Sequence, residues 1–152
     1  MKIHLIIPPW RPEDIFPTKT ASVQINYWEP LGTLYVASVL REKGHEVRFS
    51  NGAFLSENEI LCEVESFSPD IAGIYSTTFG WKRAKRMASR IKGISSGIFT
   101  VAGGPYPIAM KDVALWDAPD LDGLIYGEGE HSMSALADAL SQGRSLRSVK
   151  GL

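Results

Sequence analysis

The segment GIFTVAGGPYPIAM, residues 97–110, indicates the fold most clearly, because it contains a short apolar run that ends at glycines and a proline. Its first half is a short apolar run, and that run stops at Gly103, Gly104 and Pro105. Short apolar runs bounded by Gly and Pro are typical of buried strands. Two glycines followed by a proline either make a simple turn or leave room for a large group against the backbone. The rest of the sequence has to decide between these interpretations.

The same pattern continues in both directions along the chain. Short apolar runs alternate with amphipathic segments of helical period, which predicts a parallel sheet with helices on both faces. The predicted strands are residues 3–7, 45–49, 70–75, 98–102 and 121–126. The predicted helices lie within residues 30–44, 56–67, 81–91, 107–116 and 132–141. This count predicts a flavodoxin-like, Rossmann-like doubly wound α/β fold with strand order 2-1-3-4-5.

Individual residues support these helices. Ser56 and Glu59 form a capping-box pattern at the start of the second helix. In the first helix, the stripe of Leu31, Leu34, Val39 and Leu40 is expected to face the sheet.

Composition places the chain among ordinary globular domains. It has 152 residues, 44% of them hydrophobic, and a formal charge of -1, which gives no electrostatic reason to expect nucleic acid or an anionic membrane as a partner. The lone cysteine, Cys62, excludes an intrachain disulfide and is expected to be an inert core thiol. No apolar run reaches the length of a membrane span, and residues 1–5 resemble a first strand more than a signal peptide. We expect one cytoplasmic domain covering residues 1–152.

Ligands of doubly wound folds bind beyond the carboxyl ends of the strands. Small and polar residues follow three of these ends and offer space and hydrogen bonds, whereas Pro and Trp follow the first strand. The candidate binding residues are Pro9, Trp10, Ser76, Thr77, Thr78, Gly103, Gly104, Pro105, Tyr106, Gly127, Glu128, Gly129 and Glu130. We expect no catalytic residue and no metal ligand from this chain.

Several common ligands are disfavoured by the same residues. The nearest match to a dinucleotide loop, residues 127–132, places two carboxylates where phosphate would lie. A P-loop and a nucleophile elbow are missing from the sequence. Residues 8–10 lack the hydroxyls and glycines of a flavin phosphate loop. A phosphoacceptor domain requires an Asp at the end of the third strand, whereas Asp70 stands at its start. For Glu128 and Glu130, the open roles are ligand contact, acid/base chemistry and helix capping. His131 lies near the expected ligand end and is expected to be a solvated or capping residue.

Four motifs in order carry a resemblance to a known family. PLGTLYVASVLREKGHEV (residues 30–47), DIAGIYSTT (70–78), VAGGPYP (101–107) and YGEGE (126–130) resemble the cobalamin-binding N-terminal domains of cobalamin-dependent radical S-adenosylmethionine enzymes. The closing residues 140–152 are similar to the exit from that domain. The resemblance spans nearly the whole chain.

The resemblance implies that the ligand is cobalamin. Its nucleotide tail would lie in a groove at the sheet end, with Ser76, Thr77 and Thr78 on the tail or its phosphate. Gly103, Gly104 and Pro105 would form the floor beside the tail. Tyr106 and residues 127–130 would meet the corrin amides or the tail.

Mutases and methionine synthase-like proteins carry a D-x-H-x-x-G pattern after the first strand, and its His binds cobalt. The present sequence departs from this pattern. Phe16 stands where that His would be and Lys19 where its Gly would be, so the resemblance implies no histidine ligand from this loop. Trp10, Tyr27 or Trp28 is expected to pack below the metal instead.

The chain also lacks the C-x-x-x-C-x-x-C motif that holds the four-iron four-sulfur cluster of radical enzymes. We therefore expect a cofactor module whose radical S-adenosylmethionine domain lies downstream, outside this chain. Its parent is expected to be a methyltransferase, with a ring-forming or ring-rearranging enzyme as the alternative. A flavin or nucleotide sensor module and a pure interaction domain also stay open.

Overall fold

The computed structural model describes residues 1–11, 13, 17, 19 and 29–152. A five-stranded, all-parallel sheet with the order β2-β1-β3-β4-β5 runs through them. This confirms the predicted fold class and strand order. Within the described part of the chain, no helix is both long and apolar enough to cross a membrane.

The strands are β1 (Lys2–Ile7), β2 (Glu46–Asn51), β3 (Ile71–Tyr75), β4 (Phe99–Gly103) and β5 (Gly123–Leu124). The helices are α1 (Leu31–Glu42), α2 (Glu57–Phe67), α3 (Trp81–Ile94), α4 (Pro105–Met110), α5 (Asp112–Trp116) and α6 (Gly129–Ser141). A 3-10 turn spans Leu146–Ser148.

Two elements differ from the expected ones. The helix predicted over residues 107–116 is broken into α4 and α5 at Lys111, whose positive φ of 49° cannot continue a helix. Strand β5 is shorter than predicted because the Tyr126 amide donates to the Gly151 carbonyl at 2.7 Å and leaves the ladder. The segment 149–152 therefore covers part of the sheet edge at β5, which reduces the risk of edge-to-edge pairing.

The strands present alternate residues to two helical layers. Ile6, Ile74 and Ala102 face α2 and α3 and form one core cluster. Ile3, Leu5 and the neighbouring odd-numbered residues of β3 and β4 face α1 and α6 and form the other. The face covered by α1 and α6 also holds the large cavity described below.

Packing confirms one local prediction and contradicts two. The capping box is formed, with the Ser56 side chain and the Glu59 carboxylate each accepting from the other's backbone amide. Cys62 is exposed, so the prediction of a core thiol is wrong: Leu61 and Val64 occupy the inward face of α2. The predicted α1 stripe is also wrong in part, because Leu31 is 60% exposed and Leu34 is 39% exposed.

A buried polar network ties β1 to β2 and α2. His4 is fully buried, its Nε2 lies 2.6 Å from the Ser50 hydroxyl, and Ser50 donates to the Glu63 carboxylate. This direction assigns the imidazole proton to Nε2 and leaves Nδ1 without a partner among the described residues. Burial, together with the charge of Arg48, lowers the pKa of His4 to about 4.

The neutral state of His4 predicts a pH-dependent stability. Its pKa is lower in the folded chain than the ordinary 6.5, so its contribution is complete above pH 6.5 and is lost as the pH falls toward 4. This shift corresponds to about 3 kcal/mol in the free energy of unfolding. We expect urea titrations to show this loss in the wild type and not in His4→Gln, whose amide does not titrate. Parallel pH profiles in the two proteins would contradict the assignment.

Candidate functional site

A cavity of about 970 Å³ lies beyond the carboxyl ends of the strands, between the sheet and the first turns of α1 and α6. Its volume is in the range of small-molecule and cofactor sites. It spans the switch point between β1 and β3 and continues across β4 to residues that follow β5. This is the place where doubly wound folds bind their ligands.

The floor of the cavity is apolar and is set by the strand register. Leu5, Gly73 and Val101 are aligned across β1, β3 and β4 and point to the same face. A Cβ atom built on Gly73 would lie 2.8 Å from Leu5 Cδ2 and 3.4 Å from Met133 Cε. The glycine therefore lets the Leu5 and Met133 side chains lie close over the middle of the sheet.

The walls come from the two helices that cover this face. Val36 of α1 and Met133 of α6 line the cavity, each four residues after a glycine that also lines it, Gly32 and Gly129 respectively. Residues four apart share one face of a helix. A Cβ atom on Gly129 would lie 3.0 Å from Val36 Cγ2, so the glycine permits close approach of the two helices at their N-terminal ends.

Hydroxyl groups form one side of the rim. Thr77 Oγ1 accepts from the Gly80 amide at 3.2 Å, which leaves its own proton available to a ligand. The Thr78 hydroxyl has no hydrogen bond within the described part of the chain, and it also lines the cavity. Tyr75 also lines the cavity; burial raises the pKa of its phenol, which can donate a hydrogen bond.

Carboxylates form the other side of the rim. Glu29, Glu128 and Glu130 line the cavity. Glu128 is the N-cap residue of α6, but its side chain makes no capping hydrogen bond, and Glu130 lies in the first turn. His131 is exposed and does not line the cavity. Among the described residues, no three His, Cys, Asp or Glu side chains are grouped so that they could hold a metal ion.

The cavity gathers most of the residues that the sequence singled out. Those that line it are Trp10, Thr77, Thr78, Gly103, Gly104, Pro105, Gly127, Glu128, Gly129 and Glu130. Tyr27 and Trp28, expected to pack below the metal, and Phe16, at the absent histidine position, lie outside the described residues.

Pro9, Ser76 and Tyr106 do not line the cavity, and each has a packing role. The Pro9 backbone lies against Gly52, where a Cβ atom would come within 2.2 Å of the Pro9 nitrogen. The Ser76 hydroxyl is buried and donates to the Thr77 carbonyl at 3.0 Å. The Tyr106 ring stacks on Trp81 with centroids 4.6 Å apart, in the cluster on the opposite face of the sheet.

Gly103 and Gly104 are glycine for different physical reasons. Gly104 has φ of +102°, and a Cβ atom there would lie 2.6 Å from the Ser76 carbonyl oxygen. The bend itself thus requires glycine at 104, in addition to any role of this residue beside a ligand. Gly103 has ordinary backbone, and its Cβ atom would meet only Ile125, at 3.8 Å. Gly103 is the one that leaves open space.

Sequence reasoning missed the apolar floor, namely Leu5, Gly73, Val101, Ile125 and Met133. A signal for it was present, because Gly73 interrupts an otherwise apolar strand. A glycine in that position often marks a close approach of ligand or backbone. The helix residues that complete the site gave no comparable signal, since Val36 and Met133 look like ordinary core positions.

Together, the fold and the cavity define a flavodoxin-like domain with a cavity of the size of small-molecule sites. Residues 21–137 match the B12 binding domain family. The chain belongs to that family and is a cobalamin-binding domain.

Two longer proteins are similar to the chain in sequence. The chain is 35% identical over its whole length to an uncharacterized methyltransferase of Pyrococcus horikoshii, covering 32% of it. It is 32% identical over 120 residues to an anaerobic magnesium-protoporphyrin IX monomethyl ester cyclase of Rubrivivax gelatinosus, covering 77% of the chain and 22% of the cyclase. The chain thus spans about a third or less of the length of these relatives.

Solved structures share the fold. The cobalamin-dependent S-adenosylmethionine radical enzyme OxsB, with aqua-cobalamin and S-adenosylmethionine bound, superposes on 99% of the chain with a TM-score of 0.75 and 20% identity, over 20% of its own length. A cobalamin-binding protein from Desulfitobacterium hafniense superposes on 93% of the chain with a TM-score of 0.63 and 14% identity, over 57% of its own length.

The different reasons for Gly103 and Gly104 predict different costs of substitution. Gly104→Ala places a Cβ atom against the Ser76 carbonyl in a left-handed conformation, and we expect it to lower the free energy of unfolding by at least about 2 kcal/mol. The matched variant Gly103→Ala should change it by no more than about 0.5 kcal/mol. Urea unfolding monitored by circular dichroism measures both. Equal losses would contradict the distinction.

Proposed function

We propose that this chain is a cytoplasmic cofactor module, which holds cobalamin in the α1–α6 cavity for a radical S-adenosylmethionine enzyme. The observation that carries the proposal is the cavity itself: an apolar floor under a polar rim at the carboxyl ends of the strands, in a chain of the B12 binding domain family. The likeness in fold to OxsB supports the radical context.

The residues present fit the two chemical parts of cobalamin. The nucleotide tail ends in a flat aromatic base, which suits the apolar floor of Leu5, Val101 and Met133. The corrin periphery carries carboxamide arms, which both donate and accept hydrogen bonds. Thr77 and Thr78 offer donors to the tail, and the rim glutamates offer acceptors to the arms.

The chemistry supplied by bound cobalamin would be carriage of a methyl group on cobalt between a donor and an acceptor. The residues of this chain bind and orient the cofactor. The floor keeps water from the tail, because its lining side chains are apolar. The Tyr75 phenol, whose pKa burial raises above its ordinary 10.0, serves as a neutral hydrogen-bond donor at the wall.

We also propose that no histidine of this chain binds cobalt. His4 is fully buried among residues of the opposite face, and His45 precedes β2 at the other end of the sheet. His131 is exposed and is not among the cavity-lining residues. We expect the electron paramagnetic resonance spectrum of the Co(II) complex to show the same nitrogen hyperfine splitting in the wild type and in a variant that lacks His131. A splitting that is lost with His131 would come from a histidine nitrogen bound to cobalt. Such a splitting would contradict the proposal.

Methyl transfer is the reaction that the relatives favour for the parent enzyme, since the Pyrococcus horikoshii protein of 35% identity is named a methyltransferase. Ring formation is the alternative, because a cyclase is 32% identical over 77% of the chain. Either parent would also use S-adenosylmethionine and a four-iron four-sulfur cluster, held by a downstream domain. Codons for C-x-x-x-C-x-x-C after Leu152 would support the radical context, and a different downstream domain would contradict it.

A flavin or nucleotide module is the weaker candidate. Such ligands carry phosphate groups that proteins commonly pair with Lys or Arg. The described residues that line the cavity include no Lys, Arg or His. Three carboxylates line it instead, which disfavours a doubly charged phosphate.

The assigned cavity predicts which substitutions block binding. Gly103→Val would project its side chain into the cavity without backbone strain, and we expect it to weaken hydroxocobalamin binding at least about tenfold. Gly93→Val is the matched control, since Gly93 lies in open space on α3, on the other side of the sheet. Binding is measured as the visible corrin absorbance that stays with the protein after desalting. Equal retention by both variants would contradict the assigned cavity.

A further inference from the structure

The charge around the cavity has a single sign. Glu29, Glu128 and Glu130 are its charged lining residues, and the described part of the lining contains no cationic side chain. The residues outside the described part, 12, 14–16, 18 and 20–28, contain no Lys, Arg or His in their sequence. A ligand with its own negative groups at this rim therefore meets carboxylates that no cationic side chain of the described lining compensates.

The rim carboxylates are also unpaired. None of the three forms a hydrogen bond or an ion pair through its side chain in the described structure. Acidic residues elsewhere behave differently: Glu57 pairs with Arg86 and Arg90 at 3.0 and 2.9 Å. Carboxylates without a protein partner in a ligand cavity are available acceptors for ligand N–H groups.

Helix dipoles give these side chains one reason to be acidic, because all three lie at or near the N-terminal ends of α1 and α6. That reason concerns stability alone. It predicts no difference between two ligands of the same shape. A role toward the ligand does predict one, so the two reasons can be separated by measurement.

We propose that Glu29, Glu128 and Glu130 make the cavity selective for corrinoids whose peripheral arms are amidated, and that they weaken the binding of corrinoids with free carboxylate arms. A carboxamide arm donates N–H to a carboxylate, and this charge-assisted bond is stronger than a neutral one. A carboxylate arm cannot donate and adds like-charge repulsion. The inference rests on the proposed function, since it specifies what the same cavity accepts.

The test compares hydroxocobalamin with its three monocarboxylic acids, which mild acid hydrolysis produces by converting one propionamide arm to a carboxylate. The probes have the same tail and nearly the same shape. We expect the wild-type chain at pH 7 and low salt to bind at least one monoacid about tenfold more weakly than hydroxocobalamin. Glu128→Gln should bring that ratio within about threefold, and Glu130→Gln provides a second variant at the same rim.

Glu42→Gln is the matched control, because Glu42 is exposed at the far end of α1 and does not line the cavity. Its ratio should equal that of the wild type. Circular dichroism melting verifies that each variant is folded. Equal affinity of the wild type for hydroxocobalamin and all three monoacids would overturn this inference and leave the proposed function intact. Failure of hydroxocobalamin itself to bind would overturn both.

Discussion

On the α1–α6 face of the sheet, Gly73 and Gly103 carry no side chain at positions where the neighbouring strands do. The shape of the cavity depends on these two glycines. Gly103 of β4 leaves open space, and Gly73 of β3 lets the Leu5 and Met133 side chains lie close to the sheet. Protein interiors otherwise close such spaces, because unfilled volume costs dispersion energy and burial. The helices meet near Gly129 and Val36, and the space beneath them stays open as a cavity of about 970 Å³.

The opposite face shows what the same fold does without that constraint. There the core of Ile74, Met87 and Ile91 is packed to nearly complete burial. The Tyr106–Trp81 stack and the His4 network complete that layer. The sheet is thus closely packed on its α2–α3 face and has a cavity on its α1–α6 face. A cavity supported in this way suits the binding of a cofactor in a preorganised position.

Much of this could be predicted from the sequence. Alternating hydrophobic periods predicted the parallel sheet, the number of strands and helices predicted its order, and the spacing of Ser56 and Glu59 predicted the capping box. The strand-end motifs also predicted the mouth of the cavity. The floor was missed because periodicity does not tell which of two apolar faces is left unfilled. Tyr106 was assigned to the ligand although the chain after Gly104 turns it toward Trp81, and Cys62 was assigned to the core although it lies one residue past the inward-facing Leu61.

We propose that the cobalamin tail lies in the cavity on the α1–α6 face of the sheet, beside Gly103 and above the Leu5 and Met133 side chains that pack over Gly73. A crystal structure of the chain with hydroxocobalamin tests it most directly. We expect the aromatic base of the tail to contact Leu5, Val101 and Met133, with the corrin above Thr77 and Glu128. A tail bound on the α2–α3 face, or left in solvent outside the cavity, would contradict this placement of the cofactor.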